Sequence, residues 1–352
     1  MAPTSSPDHV ARLDTQALLD AAARAGTPVS ERMLETFRYK GLIPRPQRTG
    51  YRGRAPVWIY PADADAQLVR LLRWRSRTKD VGVLKVLLWL DGFTIPLEDV
   101  RAALLGHLRQ MNRAIEQAIT SQAHKLGCDP ADDEGRAAAV EELARVMAAK
   151  RGATPIPRRV RVRAADRSHT LAMLMRAIGL GESVQATPEE GEAAERVLGI
   201  GPNGRRYSPD GASPWLTGPA EEIFGAAGIV GIPGMLETLE NSSDDSIRDS
   251  RQIVNALFRH LPLAVRMMDA VVGQDNAVGL DALEQVTEDP ESIMWLLPAV
   301  IAMLGAGWED NLATITQSLQ QFPELAERAK ALLDTPKRTF RGLMSSSSSA
   351  LG

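Results

Sequence analysis

The sequence predicts a mainly α-helical protein that carries one small β-hairpin near its N-terminus. Three observations lead there. Apolar residues recur at helical spacing through most of the 352 residues. One segment, Gln47 to Tyr60 (QRTGYRGRAPVWIY), interrupts that rhythm with β-formers punctuated by Gly50 and Gly53. The composition, 44% hydrophobic and 24% charged, is enough for one or two buried cores.

The net charge of −3 conceals an asymmetry: residues 1–125 carry 19 Lys/Arg against 12 Asp/Glu, and residues 186–334 carry 9 against 24. A basic half is expected to meet a polyanion, and the acidic half to face away from it. The single cysteine, Cys128, excludes an intramolecular disulfide and any metal site built from several thiolates. The opening MAPTSSPDHVARLD lacks the apolar run of a signal peptide. Ile293 to Trp308, the longest apolar stretch, is short for a bilayer and is broken by Pro298, Gly305 and Gly307. A cytoplasmic protein without a membrane partner is expected.

Residues 1–14 have little apolar periodicity and read as a disordered arm. Thr15 to Ala25 places Leu18, Leu19 and Ala22 at helical spacing and stops at Gly26 and Pro28. A second helix opens with Ser30 as N-cap and closes at Gly41. Its Met33, Leu34 and Phe37 face inward, which directs Arg32, Arg38 and Lys40 outward or sideways. Two helices joined by a short turn form a helix-turn-helix, whose second helix enters the major groove of DNA. The prolines of GLIPRP then force an extended exit. On the hairpin, Arg45, Arg48, Arg52 and Arg54 are placed to meet phosphates. Tyr51 and Trp58 add apolar or stacking surface there, although Trp58, like Trp74 and Trp89, is as readily read as a core residue.

Pro61 suits the first position of the next helix, with Asp63 and Asp65 in its first turn. That helix buries Leu68, Leu71, Leu72 and Trp74, and Arg70, Arg73, Arg75 and Arg77 enlarge the basic face or simply meet solvent. Residues 15–95 together predict a winged helix-turn-helix. Pro96 to Lys125 is a long amphipathic helix with Val100, Leu104, Leu108, Met111, Ile115 and Ile119 in one stripe. The stripe either pairs with a second copy across 96–127 or packs on the chain's own C-terminal helices.

Four blocks in this order carry a resemblance: VSERMLETFRYKGLIPRP, RTGYR, YPADADAQLVRLLRWR and LKVLLWLDGFTIPLEDVRAAL. The region from about Thr15 to Leu108 resembles the DNA-binding module of the MerR family of transcription regulators. Glu35, Thr36 and Phe37 stand where the family usually has an arginine and two aromatics, so Arg32 and Arg38 are the better candidates for base or phosphate contacts. The insertion GRAPVWI resembles the family's long-wing variants. The resemblance implies that the long helix pairs antiparallel with its copy through Leu104, Leu108, Met111, Ile115 and Ile119. It also implies RNA polymerase and a small-molecule effector as further partners, and a mechanism that distorts promoter DNA.

Family members that sense metals carry cysteines at the end of this helix, which draws attention to Cys128, His124, Asp129 and Asp132. One thiolate makes a poor metal sensor, and no metal or cofactor is expected. Residues 128–167 read as a helix and a Pro-broken basic linker. From 168 to 340 an acidic helical domain follows, with helices near Ser168–Leu180, Pro188–Leu198, Pro219–Phe224, Gly234–Leu239, Asp245–Val272, Asp281–Val286, Pro290–Leu304, Asn311–Phe322 and Pro323–Leu333. The Gly-rich stretches at 199–204 and 225–234 lack the spacing of a nucleotide-binding loop. Residues 341–352 are a low-complexity, disordered Ser-rich tail.

No catalytic constellation is visible, since His169 and His260 lack a nucleophile or carboxylate arrangement. The expected function is a homodimeric transcriptional regulator on a palindromic promoter site, contacting double-stranded DNA through Ser30, Arg32, Arg38, Lys40, Arg45, Arg48, Tyr51, Arg52 and Arg54. The alternatives are an architectural or recombination accessory protein and an enzyme localised to DNA by the winged unit.

Overall fold

The computed structural model describes residues 13–52, 55–149, 162–198, 230–272, 289–317 and 321. Among these the protein is mainly helical, with one two-stranded antiparallel sheet. The described residues of 1–110 and 289–295 form one compact unit, and those of 111–288 and 296–352 form another. The division falls inside the long helix. An amphipathic helix that serves two cores in turn shows no change of composition where it passes between them.

In the N-terminal unit, helix α1 (Thr15–Arg24) is capped by Asp14, whose carboxylate accepts from the Ala17 N–H at 2.8 Å. The Tyr60 N–H donates to the Leu13 carbonyl at 2.8 Å, so residues 13 and 14 belong to the fold rather than to a loose arm. Helix α2 (Glu31–Tyr39) begins where the Ser30 hydroxyl accepts from the Met33 N–H at 3.3 Å. Its end is a Schellman turn: the Leu42 N–H reaches the Phe37 carbonyl at 2.9 Å, and the Gly41 N–H reaches that of Arg38 at 3.1 Å. Gly41 has φ +69°, which a side chain would strain. Phe37 and Leu42, at the two positions whose apolar contact usually accompanies such a turn, are both buried.

Strands β1 (Gln47–Arg52) and β2 (Ala55–Ile59) follow as the hairpin. Helix α3 (Ala64–Arg75) starts later than Pro61 suggested, because the Pro61 carbonyl first accepts from the Ala64 N–H in a turn. Leu68, Leu71, Leu72 and Trp74 are buried as expected. Helix α4 (Val81–Leu90) is apolar almost all round, and seven of its residues are buried. It lies close to α5 (Leu97–Leu126): a Cβ at Gly82 would stand 3.2 Å from the Ala103 methyl, and Lys85 pairs with Asp99 at 2.9 Å.

The C-terminal unit gathers the second half of α5 with α6 (Asp133–Ala149), α7 (Ala164–Leu174) and α8 (Pro188–Leu198). Ile119, Ala123, Ala139, Val140, Ala144, Leu171, Ala172 and Val197 make its core, and the small residues let the helices approach closely. Helix α7 begins before Ser168 and passes into a π-helical turn, Met175–Gly179, instead of continuing as α to Leu180. At α8, Thr187 and Glu190 form a capping box. The Thr187 N–H donates to the Glu190 carboxylate at 2.7 Å, and the Glu190 N–H to the Thr187 hydroxyl at 3.3 Å.

Helices α9 (Ile232–Asn241), α10 (Asp244–Val272) and α11 (Pro290–Gly305) run close to their expected bounds. A further helical stretch covers 309–317. A Cβ at Gly305 would stand 2.6 Å from the Thr238 methyl, so α11 needs glycine there to meet α9. No helix among the described residues is long and apolar enough to cross a membrane. The expected helices near 219–224, 281–286 and 323–333, most of the basic linker and the Ser-rich tail lie outside the described residues.

Candidate nucleic-acid interface

Helix α2 separates two functions by its 3.6-residue period. Leu34 and Phe37 go into the core, whereas Arg32, Glu35, Thr36, Tyr39 and Lys40 are exposed at three- and four-residue spacings, on one outward stripe. Tyr39 is 87% exposed. Sequence reading passed over Tyr39, although its position seven residues after Arg32 is the signal that places it on that stripe. Arg32 and Lys40 have no carboxylate partner among the described residues.

The other two candidates on this element are placed differently. Arg38 is half-buried and stands 3.6 Å from the Glu35 carboxylate, which offsets part of its charge locally. The Ser30 hydroxyl is engaged as the N-cap, so its first task is to start the helix. Beneath the helix, the Arg75 guanidinium lies 5.2 Å from the Phe37 ring centre, and its Nη1 is 3.5 Å from the Met33 sulfur. Arg75 therefore joins α3 to the inner face of α2.

The hairpin is irregular in an informative way. Arg48 pairs with Trp58, Gly50 with Val57 and Tyr51 with Pro56, so Thr49 is an extra residue on β1. In a regular strand, residues three apart point to opposite faces; the bulge brings Arg48 and Tyr51 onto the same face as Trp58. Arg48 Nη1 donates to the Tyr51 hydroxyl at 2.9 Å, and the guanidinium carbon stands 5.1 Å from the ring centre. Tyr51 is 61% exposed and Trp58 50%, which removes the core reading for Trp58 and leaves it for Trp74 and Trp89. Arg45 is exposed on the approach to the hairpin. Arg54 and the side chain of Arg52 lie outside the described residues.

On α3 the expected basic face is smaller than its arginine count. Arg70 Nε and Nη2 donate to the two Asp91 carboxylate oxygens at 2.7 Å each, and Trp74 Nε1 donates to Asp91 at 2.6 Å. These hydrogen bonds to Asp91 raise the Arg70 pKa above its ordinary value and outweigh the lowering from burial. Arg77 lies over Trp74, 5.8 Å from its ring centre.

Much of the apolar stripe of α5 is covered within the chain itself. Leu104, Leu108 and Ile119 are fully buried within a single chain. Ile115 packs against the core that contains Ile119 and lies against Gly179, and Met111 is half-buried. The apolar face therefore already has its partner, and a second copy would have to meet other surfaces of the helix. At its end, Cys128 lies past Gly127, with its N–H bonded to the Ala123 carbonyl. Asp129 and Asp132 accept from the Ala131 and Gly135 N–H groups, as loop and helix caps rather than as ligands. Among the described residues no group of three His, Cys, Asp or Glu side chains could hold a metal ion.

Within the C-terminal unit, an open groove of about 700 Å³ is lined by alanines of α6 and α7 together with Leu126, Ser168 and His169. Glu142 and Arg145 on its rim are hydrogen-bonded to each other. No protein-family model, curated protein or solved structure matches the chain.

Proposed function

We propose that the N-terminal unit is a winged helix-turn-helix that grips duplex DNA, and that the chain is a transcriptional regulator of the kind found in the MerR family. One observation carries the reading: exposed cations recur on two consecutive elements, Arg32 and Lys40 on α2 and Arg45 and Arg48 on and before the hairpin. A helix of this width fits the major groove of B-DNA, and a hairpin beside it reaches the flanking backbone. Arg32, Thr36 and Tyr39 then address base edges, while Lys40, Arg45 and Arg48 address phosphates.

A regulator of this class acts as a homodimer on a palindromic site, and RNA polymerase and a small-molecule effector are its natural partners. Because Leu104, Leu108 and Ile119 are covered within the chain, the pairing surface proposed is the polar outer face of α5. The reading is tested by salt titration of binding to genomic duplex fragments, followed by genome-wide mapping of occupied sites. Salt-sensitive affinity concentrated on promoter-proximal palindromes supports it, and affinity for no duplex at any salt removes it.

A further inference from the structure

Exposed aromatic rings are costly in water, and the hairpin holds two of them on one face. Tyr51 and Trp58 share one face of the two-stranded sheet, with Arg48 directly across the ladder from Trp58. Along the flanking backbone, where a wing lies, a paired duplex offers such rings mainly sugars and phosphates, for which arginine alone would serve. The partner that covers a flat π-surface while supplying negative charge beside it is an unpaired base on its phosphate backbone.

The local geometry favours that partner. Arg48 holds Tyr51 by a 2.9 Å hydrogen bond to its hydroxyl and lies over its ring, so little side-chain freedom remains to be lost when a base stacks on the hairpin. Trp58 is fixed by the ladder through its backbone, yet half of its side chain is open. The guanidinium of Arg48 and that of exposed Arg45 provide charge for the adjoining phosphates. We propose that the Arg48, Tyr51 and Trp58 face of the hairpin is a stacking platform for unpaired DNA bases, distinct from the groove contacts of α2. This rests on the DNA-binding reading and adds the state of the DNA that the hairpin prefers.

The experiment uses the full chain and three labelled probes at one salt concentration: a paired duplex, the same duplex with a three-nucleotide bubble, and the single strand, each read by fluorescence anisotropy. The bubbled duplex should bind roughly tenfold tighter than the paired one, as expected for stacking of one base. Trp58→Ala should abolish that preference while leaving paired-duplex affinity within about twofold, and Trp58→Phe should retain most of it. Tyr51→Leu, which keeps bulk but removes the ring, should reduce the preference as well. Equal affinity of the wild-type chain for paired and bubbled duplex overturns the platform alone, as does a Trp58→Ala loss that is the same on both. If no probe binds at any salt, the DNA-binding reading falls and the platform with it.

Discussion

Arg70 and Asp91 are joined by two parallel 2.7 Å hydrogen bonds that tie α3 to the end of α4, and the same carboxylate takes the indole N–H of Trp74. An arginine that reads as part of a basic face is thereby a strut between α3 and the end of α4. A fork of this kind is among the stronger polar contacts, because both groups are charged and the geometry is fixed.

Asp91→Ala removes one carboxylate and strands three N–H donors, two on Arg70 and one on Trp74. A loss of about 1–3 kcal/mol in unfolding free energy is expected, reduced toward the lower end because Arg70 is partly open to solvent. Chemical denaturation checks the magnitude. In a double-mutant cycle with Arg70→Met the two losses should fail to add, since both break the same contact.

Leu104→Ala and Leu108→Ala should each lower stability by about 2–5 kcal/mol, the range for emptying a buried leucine site. The loss should be the same at micromolar and at tenfold higher protein concentration, because the cavity forms inside one chain. A concentration-dependent loss would instead assign these residues to a contact between copies.

Glu190 in the capping box of α8 has its carboxyl held below the usual range, first by the Thr187 N–H and then by the Thr187 hydroxyl and the His169 ring. A depressed folded pKa means that the carboxylate stabilises the fold above its unfolded value of about 4.3, and that this contribution is lost as pH falls through the folded value. Glu190→Gln should therefore cost up to about 1 kcal/mol at pH 7, and the two proteins should converge as pH falls below the depressed folded value of Glu190. Denaturation curves at pH 7, 5 and 3.5 measure the convergence.

For DNA, Arg45→Ala and Arg48→Ala should each flatten the dependence of log affinity on log salt by about 0.9, the loss of one phosphate contact. Arg38→Ala should change that slope less, because Glu35 already stands beside it. Arg32→Ala should relax sequence preference at one position more than it changes the slope. Anisotropy titrations at several salt concentrations separate these outcomes.

What the sequence determined by itself is local. Gly26 and Gly41 stop their helices because an α-helix ends readily in a left-handed residue, and Ser30 starts its helix because a short polar side chain satisfies one of the first free N–H groups. Gly- and Pro-punctuated β-formers gave the hairpin away, and spacing alone put Leu34 and Phe37 inward and Arg32 outward. The tertiary structure decided what each side chain meets. Periodicity identifies an apolar stripe on α5 but not its partner, and folding filled that partner with the chain's own helices. A run of arginines reads as one face until Asp91, some twenty residues away, claims Arg70. Likewise the bulge at Thr49, set by strand register and invisible in composition, is what gathers Arg48, Tyr51 and Trp58 onto one surface. Backbone geometry acts over a few residues and is written in the order of the chain, whereas pairing of charges and covering of apolar surface depend on which distant segments are brought together.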